Sequence, residues 1–264
     1  MASFAKRVGF KLLFQSPVQS RHAEPSMLFF VEPDDPSKPS PELIELALAA
    51  IRAAQQIDLS EISARLKTGI NYPKIWPGEH YKLLAGLVSI LQPRLIVEIG
   101  TATGSSALCL KQFQTKGGRV ATFDVIPWQK YPTTVLTDAD FADGTLVQYI
   151  DDLSLPSQFA KHKALLAEAD FIFIDAAKDG KQEQLFLNNF ETIEFKHSPI
   201  LVFDDIRLWN MLKIWDDIKR PKLDLTSFGH WSGTGIVQWG ASLNLPEQPL
   251  HQLQEGTARK DELR

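Results

Sequence analysis

From Pro93 onward, short apolar runs alternate with amphipathic stretches, and this rhythm restricts the chain more than any other feature. Candidate strands fall at 95–99, 119–124, 145–150, 170–175, 199–204, 224–228 and 234–239. Helical patterns fit between the first five, at 104–114, loosely at 130–140, then at 157–168 and 181–190, with one more at 207–219. Strand–helix alternation implies a parallel sheet covered on both faces. The runs Leu95-Ile96-Val97 and Phe171-Ile172-Phe173-Ile174 suit strands buried on both sides. The last two strands, separated by a Gly/His/Trp segment, read as an antiparallel hairpin at the sheet edge. The expected fold is therefore α/β and Rossmann-like. It has a seven-stranded, mostly parallel sheet with an antiparallel last strand, helices on both faces and extra N-terminal helices.

Those extra helices begin where Ser40-Pro41-Glu42 offers an N-cap with proline at the first helical position. A helix to about Gln56 follows, then a shorter one near 59–67 and a third over 78–91. The expected organisation is an N-terminal arm at 1–40, a helical cap at 41–77, a catalytic domain at 78–243 and a disordered tail at 244–264. The arm carries Lys6, Arg7, Lys11 and Arg21 with no acid before Glu24, and four prolines lie within 31–41. A transit peptide or membrane-surface helix would share this pattern, but it reads better as a frayed arm or one docked on its own domain or on a second subunit, so a homodimer stays open.

Composition narrows the partners. A net charge of -4 disfavours nucleic acid. No apolar run reaches the roughly 18 residues of a membrane span. The lone Cys109 cannot form an internal disulfide, which fits a reducing, cytoplasmic setting, and its apolar helical context places it in the core.

The chemistry concentrates at the predicted carboxyl ends of the strands, where open parallel sheets bind ligands. Leu95 to Ser106 reads L-I-V-E-I-G-T-A-T-G-S-S: a buried strand through Glu98, then Gly100 and Gly104, then a helix start. The dinucleotide fingerprint G-x-G-x-x-G would need glycine at 102, which is Ala102. The spacing is instead E-x-G-x-x-x-G, a loop suited to an amino acid and a ribose. Asp124 ends the second strand and is placed to accept from ribose hydroxyls. The third strand runs into Asp151-Asp152, and Asp152 is the candidate neighbour of an adenine amino group, with a helix N-cap as the alternative. The fourth strand ends at Asp175 with Lys178 three residues on, and the fifth ends at Asp204-Asp205. Three carboxylates at neighbouring strand ends repel one another unless a cation intervenes, and oxygen ligands suit Mg²⁺ or a similar hard divalent ion. Lys178 is the candidate base if its own pKa is lowered. Trp209, His230 and Trp231 are candidate acceptor-pocket residues, with Trp76, Glu79, His80 and Trp215 as further members.

These residues resemble class I S-adenosylmethionine (SAM)-dependent methyltransferases, and most closely the cation-dependent O-methyltransferases of the catechol and caffeoyl-CoA types. The similarity covers roughly 78–239 and is carried by E-I-G-T-A-T-G-S-S-A-L, D-A-A-K and the acidic pair at 204–205. It implies SAM contacts at Glu98, Gly100, Thr101, Gly104, Ser105, Ser106 and Asp124. It also implies metal ligation by Asp175, Asp204 and Asp205, with Lys178 as base. The acid pair is Asp-Asp rather than the family's Asp-Asn, and His197-Ser198-Pro199 replaces glycines that often precede the fifth strand. A divergent bacterial-like branch is implied. The expected activity is O-methylation of a small-molecule hydroxyl (phenolic, sugar or natural product) with SAM and a divalent cation. The rivals are a metal-independent methyltransferase, a non-catalytic SAM-binding protein and an NAD-dependent dehydrogenase.

Overall fold

The computed structural model describes residues 34–67, 69–75, 79–243 and 245. The basic arm before residue 34, the tail beyond 245 and Trp76 lie outside the described residues, as does the side chain of Glu79.

Three helices precede the sheet: α1 (Pro41–Ala54), α2 (Ser60–Arg65) and α3 (Glu79–Leu91). Ser40 caps α1, its hydroxyl accepting from the Leu43 amide at 3.0 Å, and Pro41 occupies the first turn. Then come β1 (Leu95–Ile99), α4 (Ser105–Phe113), β2 (Arg119–Asp124), β3 (Leu146–Ile150), α5 (Pro156–Leu166), β4 (Phe171–Ile174) and α6 (Gln182–Phe190). The chain closes with β5 (Ile200–Asp204), α7 (Met211–Asp217), β6 (Lys222–Asp224) and β7 (Thr234–Gln238).

The seven strands lie in the order β3-β2-β1-β4-β5-β7-β6. The pairs β1/β2, β1/β4, β2/β3 and β4/β5 are parallel, whereas β7 runs antiparallel to both β5 and β6. The expected mostly parallel sheet with an antiparallel last strand is what forms.

Alternation along each strand splits the apolar residues between two faces. Phe171 and Phe173 join a core with Leu43, Leu46, Ile62, Leu84, Val88 and Leu110. Ile172 and Ile174 join the opposite core with Phe159, Phe186, Phe190, Met211 and Trp215. The N-terminal helices therefore share one hydrophobic core with the sheet. Cys109 is fully buried there, and burial raises its thiol pKa, as a core residue requires.

Three expectations change. Residues 130–140 form no α-helix; two single-turn 3₁₀ segments, Trp128–Lys130 and Asp138–Asp140, occupy the β2–β3 connection. The segment lacks a continuous apolar stripe, and Thr137 with Asp140 closes a local capping box that ends the turn. The strand expected at 224–228 ends at Asp224. That carboxylate accepts from the Thr226 amide at 2.9 Å and from Arg207 Nε at 3.0 Å, turning the chain into a 3₁₀ segment at Thr226–Phe228. The helix expected at 207–219 shortens to 211–217, because Asp205 and Trp209 hold left-handed backbone (φ 57° and 46°) and the intervening residues form turns.

Candidate active site

Gly100 follows β1 with φ 105°, and a Cβ there would overlap the Asp175 carbonyl oxygen. Glycine thus lets the ends of β1 and β4 close on each other. A Cβ on Gly104 would overlap Leu136. Both glycines lie against the protein's own atoms. The exposed part of the loop is Ala102 and half-buried Thr103.

Glu98, an expected cofactor contact, is 0% exposed. The Thr122 hydroxyl donates to Glu98 Oε2 at 2.5 Å, and Thr101 Oγ1 lies 2.6 Å from Thr122 Oγ1. This polar chain holds the loop from beneath. Burial pushes the Glu98 carboxyl up to about 8, against the hydroxyls of Ser106 and Thr122. Thr101, Ser105 and Ser106 are also buried. Thr122 was overlooked in the sequence, although a threonine inside the apolar run of β2 was its signal.

Asp124 is half-buried at the end of β2. Its Oδ2 accepts from the Ala102 amide and its Oδ1 from the Ile126 amide, at 2.8 and 2.9 Å. The carboxylate is therefore oriented by backbone and ties β2 to the glycine loop. Asp152 is half-buried and accepts from the Ser154 amide at 2.8 Å, the N-cap-like turn weighed as its alternative. Asp151 instead pairs with Lys161 and His162.

Asp175, Lys178, Asp204 and Asp205 converge. The Lys178 ammonium bonds Asp175, lies 2.9 Å from Asp205 Oδ2 and 4.0 Å from Asp204 Oδ2. Lys178 and Asp205 both hold left-handed backbone, at φ 58° and 57°, a strained state that clusters at functional sites. Buried Glu183 fixes the Lys178 turn by accepting from the amides of Lys178 at 2.7 Å and Gly180 at 3.0 Å.

The electrostatics are uneven. Burial and the Asp204 charge push the Asp175 carboxyl up to about 6, with Lys178 opposing. Burial favours neutral Lys178, but Asp175 and Asp205 outweigh it and raise its pKa. The lowered lysine pKa expected of a base is therefore absent from this carboxylate-only environment. Burial also disfavours ionised Asp204, yet His80 and His230 hold its carboxyl below the usual range.

Two histidines complete the cluster. His80 Nδ1 lies 3.3 Å and His230 Nδ1 3.5 Å from Asp204 Oδ1. His230 Nδ1 is also 3.1 Å from Asp205 Oδ1 and 2.7 Å from Ser232 Oγ, and Ser232 donates to Asp205. His80 and His230, both acceptor-pocket candidates, stand against the carboxylates. Ser232 was not foreseen. Trp209 and Trp231 are 49% and 67% exposed near this end, while Trp215 is a core residue.

Among the described residues, no helix is long and apolar enough to cross a membrane. No curated protein sequence matches the chain. Several solved structures resemble it weakly. The O-methyltransferase of tomaymycin synthesis from Streptomyces achromogenes, solved with SAM, is 16% identical, with 74% of this chain and 90% of that one covered and a TM-score of 0.45. An O-methyltransferase from Bacillus cereus, solved with SAH, is 18% identical over 76% and 92%, TM-score 0.42. An SAH-bound methyltransferase from Podospora anserina is 15% identical over 82% and 100%, TM-score 0.42. The profile of the O-methyltransferase family matches residues 56–227, more than half of the sequence, and so this chain belongs to the O-methyltransferase family.

Proposed function

We propose that the chain transfers a methyl group from SAM to a hydroxyl of a small molecule, assisted by a divalent cation. The observation that carries this reading is the convergence of Asp175, Lys178, Asp204 and Asp205 beside the β1 loop in a member of this family. The residues present fit SAM. Half-buried carboxylates at Asp124, Asp152 and Asp175 follow the strand ends from β3 to β4, and the exposed Ala102–Thr103 segment lies at the α4 N-terminus. Hydroxyls, an amino group and a carboxylate find complementary partners along such an edge. The residues also fit a cation: Asp204 Oδ1 is buried with no hydrogen bond, so it retains a lone pair for a ligand.

SAM supplies an activated methyl group, and the cation supplies positive charge that makes an acceptor hydroxyl more acidic. The protein's own part is alignment and proton handling. Asp124 orients the loop and faces the ribose. Asp152 stands at the adenine side, and backbone at Gly100, Thr101, Gly104, Ser105 and Ser106 shapes the floor. Asp175, Asp204 and Asp205 provide oxygen ligands. Lys178 would take the hydroxyl proton as a neutral amine, a state that a cation held by the carboxylates would favour and that their bare charge disfavours. Trp209, Trp231 and His230 border the acceptor side.

A metal-independent transfer is favoured by one observation: Lys178 already sits among all three carboxylates as an internal cation.

The test is thermal unfolding with S-adenosylhomocysteine or NAD, each with Mg²⁺, Mn²⁺ or EDTA. A ligand that binds only the folded state raises the melting temperature. A rise with S-adenosylhomocysteine and none with NAD supports the reading; a rise with NAD alone overturns it. Asp175→Ala should abolish turnover while sparing cofactor binding. Unchanged turnover in that variant removes Asp175 from the mechanism.

A further inference from the structure

Asp204 faces two ways. Its Oδ2 looks toward the Lys178 ammonium, 4.0 Å away, and its Oδ1 toward His80 and His230. On that second side, His80, Asp204 and His230 each offer a ligand atom, all within 4.8 Å of one another. We infer that His80, Asp204 and His230 form a mixed nitrogen–oxygen centre that binds a divalent transition-metal ion in preference to Mg²⁺. The inference revises the ligand set of the proposed cation, keeping Asp204 and exchanging Asp175 and Asp205 for His80 and His230, and it rests on that reading only for the cation's purpose.

The three residues come from separate elements, α3, the end of β5 and the β6–β7 connection, and each is held in place. His80 is buried, its ring 4.4 Å from Tyr81 and 5.2 Å from Phe173. The His230 side chain is 12% exposed, and its ring stands edge-on to His80 at 5.9 Å. The His230 loop is pinned to the end of β5. Arg207 N donates to Ser232 O at 2.8 Å and Gly233 N to His230 O at 2.9 Å, and a Cβ on Gly233, at φ 113°, would crowd Ile206 and Arg207. Preorganised ligands on rigid elements are what a metal centre needs.

Asp204 Oδ1 supplies an independent sign. It is buried without a hydrogen bond, and the imidazoles approach it only at ion-pair geometry. A metal ion held there would take the place of the imidazole protons that now face this oxygen. Asp205 and Ser232 both contact His230 Nδ1, which fixes the ring and leaves Nε2 as the nitrogen without those two partners. The donor set decides the metal. Mg²⁺ prefers six oxygens and sheds water reluctantly, whereas imidazole suits Zn²⁺, Cu²⁺, Fe²⁺ or Ni²⁺. Meanwhile Lys178 occupies the carboxylate-only side formed with Asp175 and Asp205, leaving the histidine side for a cation from solution.

The test uses the untagged full-length chain, stripped with EDTA and titrated with Zn²⁺ in the presence of excess Mg²⁺. Retained metal is measured after dialysis, and X-ray absorption identifies the ligands. The expected result is one equivalent of Zn²⁺ with imidazole in its shell. His80→Gln and His230→Gln should each weaken binding by at least about tenfold, with melting temperatures of the metal-free forms near that of the parent. If one variant fails to fold, the absorption spectrum of the parent still decides. No retained Zn²⁺, an oxygen-only shell, or unchanged affinity in a folded histidine variant overturns the inference. S-adenosylhomocysteine binding to the same metal-free samples separates the two readings. Cofactor binding without imidazole-bound metal sinks only this inference; metal binding without cofactor binding sinks the methyltransferase proposal and leaves the centre standing.

Discussion

Glu98 makes the fold pH-dependent in a way that one substitution isolates. The carboxyl is fully buried, and burial moves its pKa from an ordinary 4.5 to about 8. In the unfolded chain it loses its proton near 4.5, while in the folded protein it keeps it to about 8. Between those values the unfolded state binds fewer protons, so stability falls as pH rises. Glu98's favourable contribution is fully present below pH 4.5 and is gone above pH 8. At ~1.4 kcal/mol per pH unit, the whole span amounts to about 5 kcal/mol. Glu98→Gln keeps the shape and the acceptor for the Thr122 hydroxyl but never ionises. Urea unfolding of both proteins from pH 5.5 to 7.5 should therefore show their stability difference moving by about 3 kcal/mol in favour of the variant. Other titrating groups are common to both and cancel. A difference that stays constant with pH would refute the claim that Glu98 is neutral and sealed beneath the loop.

Gly100→Ala forces a side chain onto the Asp175 carbonyl at φ 105°, and should cost more than about 3 kcal/mol, read as a collapsed melting temperature or insoluble expression. Asp124→Ala removes the acceptor for the Ala102 and Ile126 amides and should weaken S-adenosylhomocysteine binding at least about tenfold by calorimetry; unchanged affinity would remove Asp124 from the cofactor site. Lys178→Met leaves Asp175, Asp204 and Asp205 without their ammonium. It should destabilise the metal-free protein by about 3 kcal/mol in chemical unfolding, a loss that added divalent cation reduces. Trp231→Ala and Trp209→Ala, at exposed positions, should leave the melting temperature within a few degrees and raise the acceptor KM in steady-state assays.

The sheet was legible because its central strands are continuous apolar runs that end in glycine or acid. Leu95–Ile99, Phe171–Ile174 and Ile200–Asp204 announce both their burial and their carboxyl ends. The acids of the site were legible for the same reason: a carboxylate terminating a buried strand lies at the ligand edge of a parallel sheet. Segments set by side-chain-to-backbone bonds were not legible. The early end of β6 depends on Arg207, seventeen residues away, and the shortened α7 on left-handed backbone at two non-glycine positions. Sequence periodicity carries no trace of either. Exposure was equally hidden. Glu98 and Asp124 look alike as strand acids, but one is sealed under the loop and the other stands half-open beside it. The pairing of His80 with Asp204 spans 124 positions of sequence, so only the fold reveals it.

The Asp-Asp pair at 204–205 then has a physical rationale. An asparagine at 205 would carry one charge less beside the Lys178 ammonium. Asp205 Oδ1 takes His230 and Ser232, while Oδ2 lies 2.9 Å from Lys178. An amide nitrogen facing Lys178 would present a donor to a donor, whereas the Ser232 hydroxyl could turn to accept from it. The added negative charge is thus matched by partners from two different loops. It couples the β4 turn that carries Lys178 to the β6–β7 connection that carries His230. A chain that gained this charge without Ser232, His230 and a left-handed Lys178 would hold three buried carboxylates against one another. With them, Asp204 keeps one oxygen toward Lys178 and the other toward His80 and His230.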